Sequence, residues 1–261
     1  ALEIEASNVS EWSESALMRS NWDRDSPRLA VNFSNGKIVS GLSRKHRLVC
    51  GETTPEILAD GKLLNSSATF EISCTQSDEG IEYLELEREL HGGGLLTRQY
   101  LLSKVDRFLL IADAIVLPAA AELSYSCCFP FAGGIEGLRE SETTEMYLMR
   151  KGKIQSLVLP LGLPEWKVAR TNHAFGIVDG GIKLTQNCHG KGIYAPLFFD
   201  LDPMRSCKKR TWRLLTVAED LNRARSDQGA AFRVQLDKQQ WFFYRSLASK
   251  GNRTFFGENF A

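Results

Sequence analysis

A period of two runs through this chain and limits what it can become. In IEYLELEREL, residues 81–90, Leu84, Leu86 and Leu90 fall on one face of an extended segment, and Tyr83, Glu85, Glu87 and Glu89 on the other. ATFEISCT alternates Phe70, Ile72 and Cys74 with Thr69, Glu71 and Ser73, and FRVQLD alternates Phe232, Val234 and Leu236 with Arg233, Gln235 and Asp237. Successive side chains of a strand point to opposite faces, so such runs predict half-buried strands, one face on a core and one in water. Reversal signals separate them at Asn35-Gly36, Asp60-Gly61, Ser77 to Gly80, Lys151-Gly152-Lys153 and Asp179-Gly180-Gly181. Glycine and its Asn or Asp neighbours supply the positive φ that tight hairpins need.

The stretch from Ala68 to Val116 predicts a four-strand antiparallel meander whose last hairpin turns near Ser103 to Asp106. Helical candidates are few and short: SETTEMYLM at 141–149 and AEDLNRARS at 218–226. There is no internal repeat, and Pro160 to Pro164 is too small to divide domains. The expectation is all-β: one large antiparallel β-sandwich over residues 1–261, supersandwich-like, with few short helices. The end at Phe260-Ala261, directly after a strand-like segment, reads as a domain cut from a longer protein.

Charge narrows the partners. Lys plus Arg and Asp plus Glu both number 32, so the chain lacks the positive excess that drives non-specific nucleic-acid binding. The basic cluster KKRTWR, Lys208 to Arg213, reads as a charged hairpin end. The longest apolar run, Phe108 to Ala121, contains Asp113 and Pro118 and is too short to span a bilayer. ALEIEASNVSEW shows no signal peptide, and the compartment stays open. Six cysteines, Cys50, Cys74, Cys127, Cys128, Cys188 and Cys207, read as mostly buried thiols, with the adjacent Cys127 and Cys128 on opposite faces. Four N-x-Ser/Thr sequences begin at Asn8, Asn32, Asn65 and Asn252 and matter only in a glycosylating host.

Chemistry-bearing residues are sparse. Arg98 and Asp113 sit inside otherwise apolar strands. A hairpin turn of about four residues puts them on one sheet face, one position diagonal, as a structural charge pair; a turn one residue longer separates them. Arg88 falls on the leucine face of its strand, and Arg245 shares a face with Trp241, Phe243 and Leu247. Each is expected to pair with a carboxylate, reach an edge or line an anion cleft. His46, His91, His173 and His189 lack the spacing of a zinc site, and no metal or cofactor is expected. No nucleophile elbow and no phosphate loop is present. Trp12, Trp22 and Trp166 near turns could stack on sugar rings. PEWKVARTNHAFG gathers Trp166, Arg170, Asn172 and His173, and this is where a polar ligand site is expected.

The segments HGGGLLTRQYLLS and DRFLLIADAIV resemble the β-sandwich domain of heparinase II/III-like polysaccharide lyases, in which a strand with a basic residue is followed by a hairpin and an apolar strand with an Asp. ALMRSNWDRDSPRLAVNF, with Arg19-Ser20-Asn21-Trp22 before a strand, resembles that domain's opening, and DGKLL near residue 60 fits less specifically. The resemblance covers roughly the first 120 residues. One departure matters: where those lyases carry a His-x-His-x-Asp-like stretch, this chain reads SNGKIVSGLSRKHRLVCGE, with only His46. The helical toroid that precedes the sandwich in the family and supplies catalytic groups is absent from these residues, so no catalytic residue transfers. The resemblance implies a noncatalytic module of a carbohydrate-processing protein, with an oligo- or polysaccharide or other domains of a parent chain as partners. Two alternatives stand beside it: a sugar-active lyase, epimerase or mutarotase-like enzyme using His173 or His189 as base, and an interaction domain without a ligand.

Overall fold

A computed structural model describes residues 7–220, 222–249, 251–255 and 258–260. Residues 1–6, where a leader was sought, and the terminal Ala261 lie outside them. Five strands, β1 (Asn8–Ser10), β2 (Ser15–Arg19), β3 (Arg28–Asn32), β4 (Val39–Arg44) and β5 (His46–Glu52), pair in sequence order as the first sheet. The large second sheet holds β6 (Glu56–Ala59), β7 (Lys62–Leu63), β8 (Glu71–Ser77), β9 (Ile81–Leu90), β10 (Gly94–Ser103), β11 (Phe108–Pro130), β12 (Glu136–Arg139), β13 (Met146–Arg150), β14 (Lys153–Pro160), β15 (Ala174–Val178) and β16 (Gly181–Asp200). Two smaller sheets follow. One is β17 (Arg210–Leu215) with β20 (Gly229–Leu236) and β21 (Gln239–Ser246); the other is β18 (Ala218–Glu219), β19 (Asn222–Arg223), β22 (Arg253–Phe255) and β23 (Glu258–Phe260).

Among the described residues every strand pairing is antiparallel, and β8–β9–β10–β11 is the predicted meander. The expected reversals are present. Asn35 and Gly36 (φ 54° and 68°), Asp60 and Gly61 (50° and 74°) and Lys151 and Gly152 (48° and 71°) all take positive φ. The two long strands β11 and β16 form the spine, paired from Phe108↔Asp200 to Pro130↔Gly181 with one irregularity between Val116 and Ala121.

The spine is covered on both sides. Leu109, Ile111 and Ile115 of β11 join Leu29, Val31, Leu42 and Leu48 of the first sheet in one core. Phe108, Leu110, Ala112 and Ala114 join Trp212, Phe232 and Val234 of the β17–β20–β21 sheet in another. A third layer therefore lies over part of the sandwich. This is why FLLIADAIV is apolar on both faces apart from Asp113 and does not alternate: a strand buried on both faces has no polar side to show.

Both helical candidates are overturned. Residues 146–150 form β13, and the second candidate contributes the short strands β18 and β19. Met146, Tyr147 and Leu148 are consecutively buried, which a strand with a neighbour on each edge accommodates. Segments this short cannot hold a helix without tertiary support. The cysteine reading also needs correction. All six are free thiols, but Cys50, Cys74 and Cys207 are exposed and only Cys127 is fully buried. Burial pushes the Cys127 thiol up to about 12, which keeps it protonated and unreactive. Among the described residues no group of His, Cys, Asp or Glu is placed to hold a metal, and no helix is long and apolar enough to cross a membrane.

The β10–β11 turn is four residues, and Arg98 stands directly opposite Asp113, not diagonally. Both side chains point into the core between the first two sheets and are at most 1% exposed. Arg98 donates through Nε and Nη2 to the two carboxylate oxygens, the second at 2.6 Å, and Nη2 also reaches Thr53 O at 3.0 Å. Tyr125 donates its hydroxyl to Asp113 Oδ2 at 2.6 Å. Burial disfavours a charge on Arg98, but Asp113 outweighs it and holds the guanidinium protonated.

The other two arginines resolve differently. Arg88 reaches Gly36 O at 2.6 Å with its guanidinium 4.4 Å from the Phe70 ring centroid. Arg245 crosses from β21 to Glu85 on β9, Nη1 to Oε2 at 2.9 Å. Glu85 is thus buried on the face that alternation assigned to water, and it also accepts from Tyr83 and from Gln99 Nε2 at 2.8 Å. Burial pushes the Glu85 carboxyl up, but the Tyr83 hydrogen bond, the Arg245 charge and Gln99 outweigh it, so it lies below the ordinary carboxylate range. A depressed folded pKa gives stability that is full above the unfolded value, about 4.3, and is lost as pH falls through the folded one. Glu85→Gln should lower the neutral-pH melting temperature and shrink its drop between about pH 5 and about pH 3, read by thermal denaturation across that range.

Candidate functional site

After β14 ends at Pro160 the chain crosses the rim of the third layer to reach β15. Backbone and hydroxyl contacts pin this crossing. Leu161 N donates to Pro196 O at 3.1 Å, Thr144 Oγ1 to Pro164 O at 2.7 Å, and Thr143 bridges Trp166. Trp212 of β17, 1% exposed, donates its indole N–H to Leu163 O at 3.1 Å. Thr211 donates to Glu165 Oε2 at 2.6 Å. The crossing and β17 enclose a cleft of about 550 Å³, lined by Gly162 to Trp166, Arg170, Thr171, His173 and Trp212 to Leu214.

Three of the four residues singled out from sequence meet here. Trp166 is 52% exposed at the rim, and Arg170 and His173 line the walls. Asn172 does not line the cleft; its carbonyl accepts from Asn187 Nδ2 at 2.6 Å, outside it. Trp12, 95% exposed at the β1–β2 turn, and Trp22, with the Arg19 guanidinium 4.7 Å from its ring centroid, stand elsewhere. Sequence reading missed Trp212 and Arg213, which it placed in a charged hairpin end. The signal was present in TWRLL, where a lone Trp inside a strand marks a buried anchor.

His173 Nδ1 accepts the backbone N–H of Asn187 at 3.1 Å, and burial lowers its pKa. The neutral ring therefore carries its proton on Nε2, so toward the cleft it is a donor and not a base. Glu165, the carboxylate of this wall, is already engaged by Thr211. The side-chain amide of Gln186 is buried, and its Nε2 has no hydrogen-bond partner. A Cβ on Gly162 would stand 2.1 Å from that nitrogen, so any side chain at this position would displace the Gln186 amide from the cleft floor. The other histidine weighed as a base, His189, lies outside this cleft on β16, Nδ1 2.9 Å from Glu122 Oε1, with both side chains exposed.

The fold and cleft define an all-β, multi-layered sandwich with an aromatic and cationic surface groove. No protein-family model and no curated protein matches the chain. Solved structures do. A heparinase III gene product with methylated lysines superposes with a TM-score of 0.62 at 11% identity, covering 95% of this chain and 43% of that one. A heparan sulfate lyase HepC mutant from Pedobacter heparinus gives 0.62 at 10% identity, covering 94% and 43%. A further heparinase III gives 0.58 at 10% identity, covering 90% and 42%. This chain therefore has the heparinase-like β-sandwich fold, and it spans less than half the length of the structures it matches.

Proposed function

We propose that this chain is a noncatalytic β-sandwich module of a carbohydrate-processing protein and binds an acidic oligo- or polysaccharide in the Trp166 cleft. The observation that carries the reading is the makeup of that cleft. An exposed indole offers a face to the apolar side of a sugar ring. Arg170 offers a planar fork for a carboxylate or sulfate. His173 offers a hydrogen-bond donor and withholds a base. Proton abstraction needs a base within hydrogen-bond reach of the proton, and the lining groups are either donors or already engaged. The likeness in fold to a heparan sulfate lyase supports the choice of an acidic saccharide.

Calorimetric titration with a heparan sulfate oligosaccharide tests this. Trp166→Ala should weaken binding about tenfold or more, since stacking and its buried area are worth about 1–3 kcal/mol, with the melting temperature unchanged because the side chain is half exposed. An unaltered affinity in that variant would refute the site. A rise in ultraviolet absorbance from unsaturated sugar products on incubation, lost in His189→Ala, would replace the binding module by the enzyme reading.

A further inference from the structure

Leu214 stands at the edge of this cleft. That side chain, 58% exposed, also borders a second cleft of about 370 Å³, whose walls include His189, Val217, Arg223, Arg225 and Asp227. The main chain runs from Trp212 in the first cleft to Val217 in the second, about 17 Å at roughly 3.3 Å per extended residue. A disaccharide cannot reach across that span, whereas a longer chain can.

The charges along this path are unevenly matched. Asp227 accepts from Arg225 Nε at 2.9 Å and from Lys191 N at 2.9 Å, so it is neutralised. The guanidinium groups of Arg170, Arg213 and Arg223 have no hydrogen-bond or ion-pair partner among the described residues. Arg213 also stands directly opposite Arg233 across the β17–β20 ladder, and Arg233 Nε is buried without a partner. Like charges facing each other across a ladder repel. Unpaired guanidinium groups along a groove raise the local concentration of an anion, and their fork geometry suits carboxylate or sulfate.

We infer that the two clefts form one groove across Leu214, and that the second cleft is a separate subsite where Arg223, beside the Asp227-paired Arg225, takes a carboxylate or sulfate further along the same saccharide chain. The inference rests on the Trp166 reading, and the experiment separates the two. The protein is titrated calorimetrically with a heparan sulfate disaccharide and an octasaccharide. The octasaccharide should bind about tenfold more tightly. Arg223→Glu should remove that advantage and leave disaccharide affinity unchanged, while Trp166→Ala weakens both probes. An unchanged octasaccharide affinity in Arg223→Glu overturns the second subsite and leaves the Trp166 site standing. A Trp166→Ala variant that binds both probes normally overturns the first site and the joined groove with it. Failure of either probe to bind the unaltered protein overturns both. Should Arg223→Glu lower the melting temperature, Arg223→Gln gives the same reading through charge removal alone.

Discussion

Asp113→Ala should destabilise the fold by about 3–5 kcal/mol, the usual cost of removing one partner from a buried ion pair. The reason lies in what remains. Arg98 is fully buried and would keep a charge with only Thr53 O, the Tyr100 hydroxyl and the Cys127 sulfur near it. Tyr125 would also lose the acceptor of its buried hydroxyl. Urea denaturation measures the loss directly, and at this chain length each kcal/mol should also lower the melting temperature by roughly 2–4 °C. Replacing both partners by apolar residues of similar volume, Arg98→Met with Asp113→Leu, should recover most of the stability, because no charge is then stranded. A double variant as unstable as Asp113→Ala would mean that the pair holds the two sheets in register through its hydrogen bonds to Thr53 and Tyr125.

This pair also marks how far the sequence could be read. Arg98 and Asp113 were conspicuous because each interrupts a run of apolar neighbours, and a four-residue turn was enough to put them on one face. Their directly opposed register, the Thr53 carbonyl just after β5, and the Tyr125 hydroxyl twelve residues along β11 complete the cluster but left no local trace. The alternating strands and glycine reversals were legible for the same reason the pair was: they are local. The third layer was less so. Its sign was the run at Phe108 to Val116, apolar on both faces apart from Asp113, which suits a strand buried on both faces, and Glu85 shows the consequence. Alternation assigned it to water, yet β21 covers it and supplies Arg245. The helical guesses failed at 141–149 and 218–226 because short amphipathic stretches carry no information about which strand edges await them.

The candidate site divides along the same line. Trp166, Arg170 and His173 lie within eight residues of one another, so their meeting was a local event that sequence could suggest. The opposite wall, Trp212, lies far along the chain, and it carries the second large prediction. Trp212→Ala should cost about 3–5 kcal/mol, because it empties a large buried volume in the core beneath the third layer. It should also abolish saccharide binding, since the indole N–H holds Leu163 O at the base of the cleft and the adjacent Thr211 holds Glu165. Trp212→Phe separates the two effects. It keeps most of the apolar volume but leaves the Leu163 carbonyl without its donor, a penalty of about 1–3 kcal/mol. Binding should then fall more steeply than stability, because the crossing from Pro160 to His173 loses its anchor while the core stays filled. Denaturation and titration of the same two proteins provide the comparison. If Trp212→Phe binds like the unaltered chain, the cleft is shaped by the crossing's own backbone contacts to Thr144 and Pro196, and Trp212 serves the core alone.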